Sequence, residues 1–157
     1  MSVFKSPDQL VSPLLNDVYA AWQRVGAGRM APRRDEITPA VLRSALPAVW
    51  MMDVIDEGAD FRFRFAGDRV IRFMGRRYAG TLLSTLLDDA YFQRMRLLLL
   101  ECVQTRRPTA FGPGRTRMKG KDFLETEVVV LPLSDDGEAI VSLFGAMDIR
   151  PLQPGKA

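Results

Sequence analysis

Four acidic side chains could supply acid–base chemistry. They lie in stretches whose residue pattern predicts β-strand. They are Asp53, Asp60, Glu125 and Glu127. A carboxyl group that is buried in a pocket has a raised pKa, and it can then act as a general base near neutral pH. Acidic residues on strands are more often exposed and solvated. A small cone-fold α+β enzyme that uses a pocket carboxylate is therefore an alternative and not the leading interpretation.

The residue types that carry much of enzyme chemistry are missing or rare. The chain has no histidine, so it forms no Ser-His-Asp or Cys-His catalytic group and no histidine-ligated haem or zinc site. Its one cysteine, Cys102, has no partner for an intramolecular disulfide, and it falls on the apolar face of a predicted helix, where an inert thiol is expected. We therefore predict no catalytic residue, no metal site and no enzymatic activity.

Length and composition indicate one globular domain. The chain has 157 residues, of which 47% are hydrophobic and 26% are charged. Eighteen arginines and four lysines against 19 acidic residues give a net charge of +3, an excess too small to indicate nucleic acid by itself. A weak nucleic-acid binder stays a second alternative. No apolar run approaches the ~20 residues of a membrane helix and no signal peptide is evident, so we expect a cytoplasmic protein without membrane contact.

Hydrophobic periodicity predicts the elements that must position these side chains. Apolar residues at three- and four-residue spacing predict an amphipathic helix over 14–25. Two strands are predicted next, over 47–55 and 60–65. In the second, phenylalanine and arginine alternate strictly, which is the period-two pattern of a half-buried strand. We expect one face to carry Phe61, Phe63 and Phe65 toward the helices, and the other face to carry Arg62 and Arg64.

The remaining elements complete an α+β fold. We predict a short helix over 68–74, a long helix from 88 or 89 to 105, and strands over 108–118, 123–133 and 139–149. A strand pair, a helical crossover and three further strands give a five-stranded antiparallel sheet packed on one side by helices, with the N-terminal amphipathic helix added. We divide the chain into a lead-in with that helix (1–30), the domain (31–150) and a flexible tail (151–157).

This order resembles the PAS fold, and particular segments sharpen the resemblance. They are YAAWQR (19–24), MAPRRD (30–35), ITP (37–39), FRFRFAGD (61–68), FMGR (73–76) and AG (79–80). Together they resemble a family of short, stand-alone bacterial PAS-like proteins over nearly the whole chain. Asp68 departs from the pattern, which has Thr there, although Asp still suits a helix N-cap. The resemblance implies a sensory or regulatory module of bacterial signalling that binds a ligand or a partner and has no attached output domain.

The resemblance leaves the cofactor unknown. Light-sensing PAS proteins hold flavin beside a cysteine on the short helix after the second strand, but residues 68–77 contain no cysteine. A cysteinyl-flavin motif is therefore absent, as is histidine for haem.

The PAS fold implies a pocket between the sheet and the helical crossover. Aromatic and methionine side chains are the candidates for its lining: Trp50, Met52, Phe63, Phe65, Phe73, Met74, Tyr78, Met95, Phe111 and Phe144. Methionine adapts its shape easily, so such a pocket suits a small apolar or aromatic ligand. A core filled by its own side chains is the equal alternative.

Two further groups of residues are candidates for protein contacts. Four arginines could dock an acidic signalling partner, with a solvated face as the alternative: Arg69, Arg72, Arg76 and Arg77. Two helical surfaces are the expected interface of a homodimer: Val18 and Trp22 on the first helix, and Leu97 and Leu100 on the long helix. The first helix must bury its stripe, and arginines on the outer face of the sheet favour a partner chain for that role.

Overall fold

The computed structural model describes residues 4–75, 79–116, 118 and 120–152. The strands are β1 Val49–Ile55, β2 Asp60–Ala66, β3 Thr109–Arg115, β4 Leu124–Leu133 and β5 Ser142–Pro151. The helices are α1 Pro13–Gly26, α2 Pro39–Leu42, α3 Asp68–Met74, α4 Leu83–Leu86 and α5 Asp89–Thr105. The strands form one antiparallel sheet in the order β2-β1-β5-β4-β3, with α3, α4 and α5 crossing from β2 to β3. The predicted α+β fold class is confirmed.

Helix ends follow local chemistry in several places. Ser12 caps α1, since its Oγ accepts the backbone N–H of Leu15 at 3.3 Å, and Asp88 caps α5 in the same way. Helix α2, which Thr38 caps, stops at Leu42, and a tighter 3-10 helix follows over Arg43–Ala48. The backbone of Arg43 has φ 53° and ψ −127°, which lies outside the helical region and ends α2 there.

Both faces of the sheet are covered by helix, whereas the sequence predicted helices on one side. The α3–α5 crossover packs on the inner face, against Val128 and Val130 of β4. Helix α1 packs on the outer face, against Val129 and Leu131 of the same strand. Strand β4 is therefore apolar on both sides and has no polar alternation over this stretch.

The partner of α1 is its own sheet. Val18 is 2% exposed and Trp22 is 8% exposed within one chain, and the indole Nε1–H of Trp22 donates to a backbone carbonyl of β4. Neither residue is available as a dimer contact, so that part of the predicted interface is wrong. The arginines that suggested a polar outer face, Arg62 and Arg64, lie on the edge strand β2, whereas α1 contacts β4 and β5.

The segment before α1 is held by one buried carboxylate. Glu127 of β4 is fully buried and accepts hydrogen bonds from the backbone N–H groups of Val11 at 2.9 Å and Ser12 at 2.7 Å. The Lys5 ammonium pairs with the same carboxylate at 2.5 Å. The backbone of Lys5 also bridges to Ala110 of the edge strand β3. The lead-in and α1 therefore share a core with the sheet.

A β-bulge changes the faces of strand β2. Met52 pairs with Phe63 but the adjacent Met51 pairs with Phe65, so Arg64 is an extra residue in β2. Phe61 and Phe63 are buried on the inner face as predicted. The bulge turns Phe65 away from that face and leaves it 38% exposed, so the expectation of three phenylalanines on the helical side is wrong for the third.

No helix among the described residues combines the length and the hydrophobicity needed to cross a membrane. Residues 153–157 of the predicted tail lie outside the described residues.

Candidate functional site

A small cavity lies between the inner face of the sheet and the α3–α5 crossover. Its volume is about 60 Å³. The wall is made by side chains of β1, β2, β3, β4, β5, α3, α5 and the α4 region, so every layer of the inner core contributes. Among the residues that the structure describes, no charged side chain lines it, and the most polar group in the wall is the Tyr91 hydroxyl.

Seven of the ten predicted pocket residues meet at this cavity: Trp50, Met52, Phe63, Phe73, Met74, Met95 and Phe111. Tyr78 lies outside the described residues. The sequence reasoning missed eight aliphatic, aromatic and methionine positions of the wall: Val70, Leu83, Leu87, Tyr91, Leu99, Val128, Val130 and Met147. Tyr91 and Leu99 lie four residues to either side of the predicted Met95 on α5, and this helical spacing was the signal that could have found these two.

Two predicted pocket residues lie elsewhere. Phe65 is turned to the outer face by the bulge at Arg64 and lines a groove there. Phe144 of β5 is fully buried but packs in the outer core with α1. Its neighbour Leu143 takes the inner side instead, because successive strand residues point to opposite faces. Both assignments to the pocket are therefore corrected.

The cavity is small for a ligand site. An engineered apolar protein cavity that binds benzene measures about 150 Å³, and drug-sized ligands occupy roughly 300–1,000 Å³. A volume of about 60 Å³ holds a few atoms and not an aromatic ring. The inner core is therefore close to the alternative in which its own side chains fill the pocket.

A shallow cleft adjoins the cavity from outside. Tyr91, Met95 and Phe111 line both the cavity and this cleft of about 150 Å³ between α5 and β3. Burial raises the pKa of Tyr91 above its ordinary 10, although nearby Arg94 and a hydrogen bond with Thr116 act in the opposite direction. These three side chains form the partition between the cavity and solvent on this side.

Residues 11–148 match the sequence model of the PAS domain. The chain belongs to the PAS domain family. A solved structure with the same fold is that of the PAS domain from Bordetella pertussis BvgS, which is 18% identical in sequence. The TM-score is 0.54, and the match covers 73% of this chain and 84% of that one. Comparison with curated proteins gives no match. The resemblance drawn from the sequence is therefore confirmed, and PAS domains are sensory and regulatory modules.

The candidate catalytic carboxylates lie outside the PAS cavity. Asp53 faces the outer side, where it accepts hydrogen bonds from Arg34 at 3.3 Å, Arg64 at 3.2 Å and the Ser142 hydroxyl at 2.7 Å. Burial raises its pKa, but these donors outweigh burial and hold the pKa below its ordinary value. For Glu127, burial is likewise outweighed by its bonds to Lys5 and two backbone N–H groups, so its pKa is also lowered. A depressed pKa suits a structural ion pair and not a general base.

The other two carboxylates also have partners within the fold. Asp60 accepts the hydroxyl and, at 3.2 Å, the backbone N–H of Ser84, which ties β2 to α4. Glu125 is 7% exposed and lies 3.9 Å from the Arg150 guanidinium on the neighbouring strand. These contacts indicate that Asp60 and Glu125 stabilise the fold.

Cys102 faces the core from α5. It is fully buried, its Sγ lies 3.8 Å from the carbonyl oxygen of Val130, and burial raises the pKa of the thiol well above its ordinary 9.0. The thiolate, which is the reactive form, is therefore disfavoured. Within the described ranges, no three His, Cys, Asp or Glu residues stand together as a metal site would need.

Two of the four arginines proposed for docking are described by the structure. Arg69 and Arg72 are exposed on α3, and no described acidic side chain forms a salt bridge with either. Arg72 makes one hydrogen bond, from Nε to the carbonyl oxygen of Asp68 at 3.4 Å. Arg76 and Arg77 lie outside the described residues.

Proposed function

We propose that this PAS chain is a regulatory module that passes a signal to an acidic protein partner through α3. The observation that carries the proposal is the two-sided character of this helix. Val70, Phe73 and Met74 line the PAS cavity, while Arg69 and Arg72 extend into solvent from the same seven-residue helix. A shift of the inner side chains would therefore move the outer guanidiniums.

The size of the cavity supports a contact-based role over one that depends on a bulky cofactor. About 60 Å³ admits only a very small molecule unless the wall side chains move. Four of these side chains are methionines, which change conformation readily: Met52, Met74, Met95 and Met147. The cavity could therefore bind a small apolar ligand, whereas a flavin or a haem is too large for it.

The acidic nature of the partner follows from the two exposed guanidiniums. Arginine binds carboxylate or phosphate through two parallel hydrogen bonds, and it is the favoured residue at charged protein interfaces. Neither arginine is engaged by an acidic side chain of the described chain, and Arg72 uses only its Nε, on the Asp68 carbonyl oxygen. An acidic peptide surface is therefore the class of partner that fits.

Native mass spectrometry and affinity capture test this proposal. The purified protein should carry no co-purifying molecule of cofactor size. Acidic proteins captured from a lysate of the source organism should be lost with Arg69→Gln and with Arg72→Gln. The control is Arg24→Gln, which removes the same charge from an exposed residue of α1 on the opposite face. A bound cofactor, or equal capture by all three variants, would overturn the proposal.

We also propose a homodimer, now through α5 alone. Leu97 is 62% exposed on this helix, whereas Leu100 is half-buried against the turn at Gly58. Sedimentation at micromolar concentration should give a species of twice 17.6 kDa, and Leu97→Glu should reduce it to the monomer. A monomer that persists on concentrating would end this part of the proposal.

A further inference from the structure

A groove much larger than the PAS cavity lies on the outer face of the sheet. Its volume is about 550 Å³, within the range of small-molecule binding sites. One wall is formed by the segment between α1 and β1, and the other by the adjoining ends of β1 and β2. The lining residues that matter most for binding are Arg34, Ile37, Leu42, Met51, Arg64 and Phe65.

The groove exists because α1 covers only part of the outer face. Helix α1 packs over β4 and β5 and leaves the β1–β2 end of the sheet to the shorter 3-10 segment Arg43–Ala48. The bulge at Arg64 then turns Phe65 toward this uncovered end, beside its strand partner Met51. Two features that the sequence alone did not predict therefore create the site.

The floor of the groove is apolar and deep. Ile37 and Leu42 are each 8% exposed and Met51 is 9% exposed, although all three line the groove. Phe65 is the accessible apolar side chain on the rim, at 38% exposed. A narrow apolar floor beneath an exposed aromatic ring suits the hydrocarbon part of a small molecule better than the broad surface of a folded protein.

One wall of the groove carries a guanidinium with an unused donor. Arg34 and Arg64 both bind the Asp53 carboxylate. Arg34 is also held by Asp135 at 2.9 Å. Arg64 uses Nε and Nη2 on Asp53, and its Nη1 has no hydrogen-bond partner among the described residues. Its side chain is 51% exposed, so these N–H groups are accessible to a ligand.

We propose that this groove binds a small amphipathic carboxylate. The hydrocarbon part lies on Ile37, Met51 and Phe65, and the carboxylate accepts hydrogen bonds from the free N–H groups of Arg64. A charged hydrogen bond from arginine to carboxylate is stronger than a neutral one, which makes the acid preferred over the corresponding alcohol. The site is on the opposite face of the sheet from the PAS cavity, and none of its lining residues belongs to α3, so it does not depend on the function proposed above.

Calorimetric titration with sodium octanoate tests the proposal, with 1-octanol as the uncharged probe. Octanoate should bind saturably at one site per chain, and more tightly than octanol. Arg64→Gln should weaken octanoate about tenfold and leave octanol unchanged. Arg24→Gln removes the same charge from an exposed residue of α1 that does not line the groove, and it should change neither. Arg34 still pairs with Asp53 in the Arg64→Gln variant, so the fold should be retained, which circular dichroism checks.

A second variant tests the location without changing charge. Leu46 is half-buried on the groove wall, and Leu46→Trp should fill the space and abolish binding of both probes. Unchanged octanoate binding by Leu46→Trp would show that octanoate does not bind in this groove. Equal affinity for octanoate and octanol would overturn recognition of the carboxylate. No saturable binding of either probe at millimolar concentration would overturn the proposal entirely.

Discussion

The indole Nε1–H of Trp22 donates a hydrogen bond to the backbone carbonyl oxygen of Pro132 at 2.9 Å. Pro132 lies in β4 between Leu131 and Leu133, both of which are fully buried in the outer core. The contact therefore fixes the C-terminal half of α1 on the sheet. Helix α1 is part of the domain's own core and not a free docking helix.

Truncation of Trp22 should destabilise the protein in two separable steps. Trp22→Phe keeps an aromatic ring but loses the hydrogen bond, so the free energy of unfolding should fall by about 1 kcal/mol. Trp22→Ala also loses the buried ring and should cost about 3–5 kcal/mol. Urea unfolding followed by circular dichroism measures both values. Costs below about 0.5 kcal/mol for both would mean that α1 does not pack on the sheet in solution.

The bulge in β2 predicts unequal effects for two phenylalanines of one strand. Phe63 is 3% exposed in the inner core, so Phe63→Ala should cost about 3–5 kcal/mol. Phe65→Ala should cost less than about 1.5 kcal/mol because the side chain is on the groove rim, and Arg62→Ala should cost under about 1 kcal/mol. Equal costs for Phe63→Ala and Phe65→Ala would mean that strict alternation continues and the bulge is absent.

Glu127 should make stability depend on pH below its ordinary pKa of 4.5. The folded state lowers this pKa, so the carboxylate's contribution is fully present above pH 4.5 and is lost as the pH falls through the lower folded value. Glu127→Gln lacks the charge. Wild type should therefore exceed the variant most at neutral pH, and the difference should shrink as the solution is acidified below 4.5.

Chemical unfolding of both proteins from pH 7 to pH 3 measures this difference. The control is Glu138→Gln, which changes an exposed carboxyl group and should alter stability little at any pH. A gap between wild type and Glu127→Gln that stays constant across the range, or widens in acid, contradicts the prediction.

The size of the PAS cavity predicts a response to benzene only after enlargement. Leu83 is 2% exposed and lines the cavity. Leu83→Ala should cost about 2–5 kcal/mol and should create space for an apolar ring. Benzene should then raise the melting temperature of Leu83→Ala by mass action, and should not raise that of wild type or of the volume-conserving variant Leu83→Met. A clear benzene shift in wild type would show a larger native cavity.

The overall fold was predictable because its signals are local. The alternation over residues 60–65 indicated β2, and Gly75 after a short amphipathic stretch indicated the end of α3, as observed. The family also followed from local segments. These features depend on nearest neighbours along the chain, and the sequence displays those neighbours directly.

The faces of the strands were less predictable, because pairing partners decide them. Phe65 continues the sequence alternation, and only its pairing with Met51 reveals the bulge. Leu143 and Phe144 are both fully buried, on opposite faces of the sheet. The apolar run in the sequence therefore did not indicate which of the two faces the inner core. The groove was missed for the same reason, since it joins Arg34 to Arg64 and Asp135 across three separate elements.

The bond from Trp22 to Pro132 spans 110 residues, and the pair of Lys5 with Glu127 spans 122. At a synthesis rate of about 5–20 residues per second, a ribosome needs roughly 5–20 s to reach the strand that covers α1. During that interval the apolar stripe of α1 has no native partner. Closing such long loops is slow, so docking of this helix is expected among the last steps of folding.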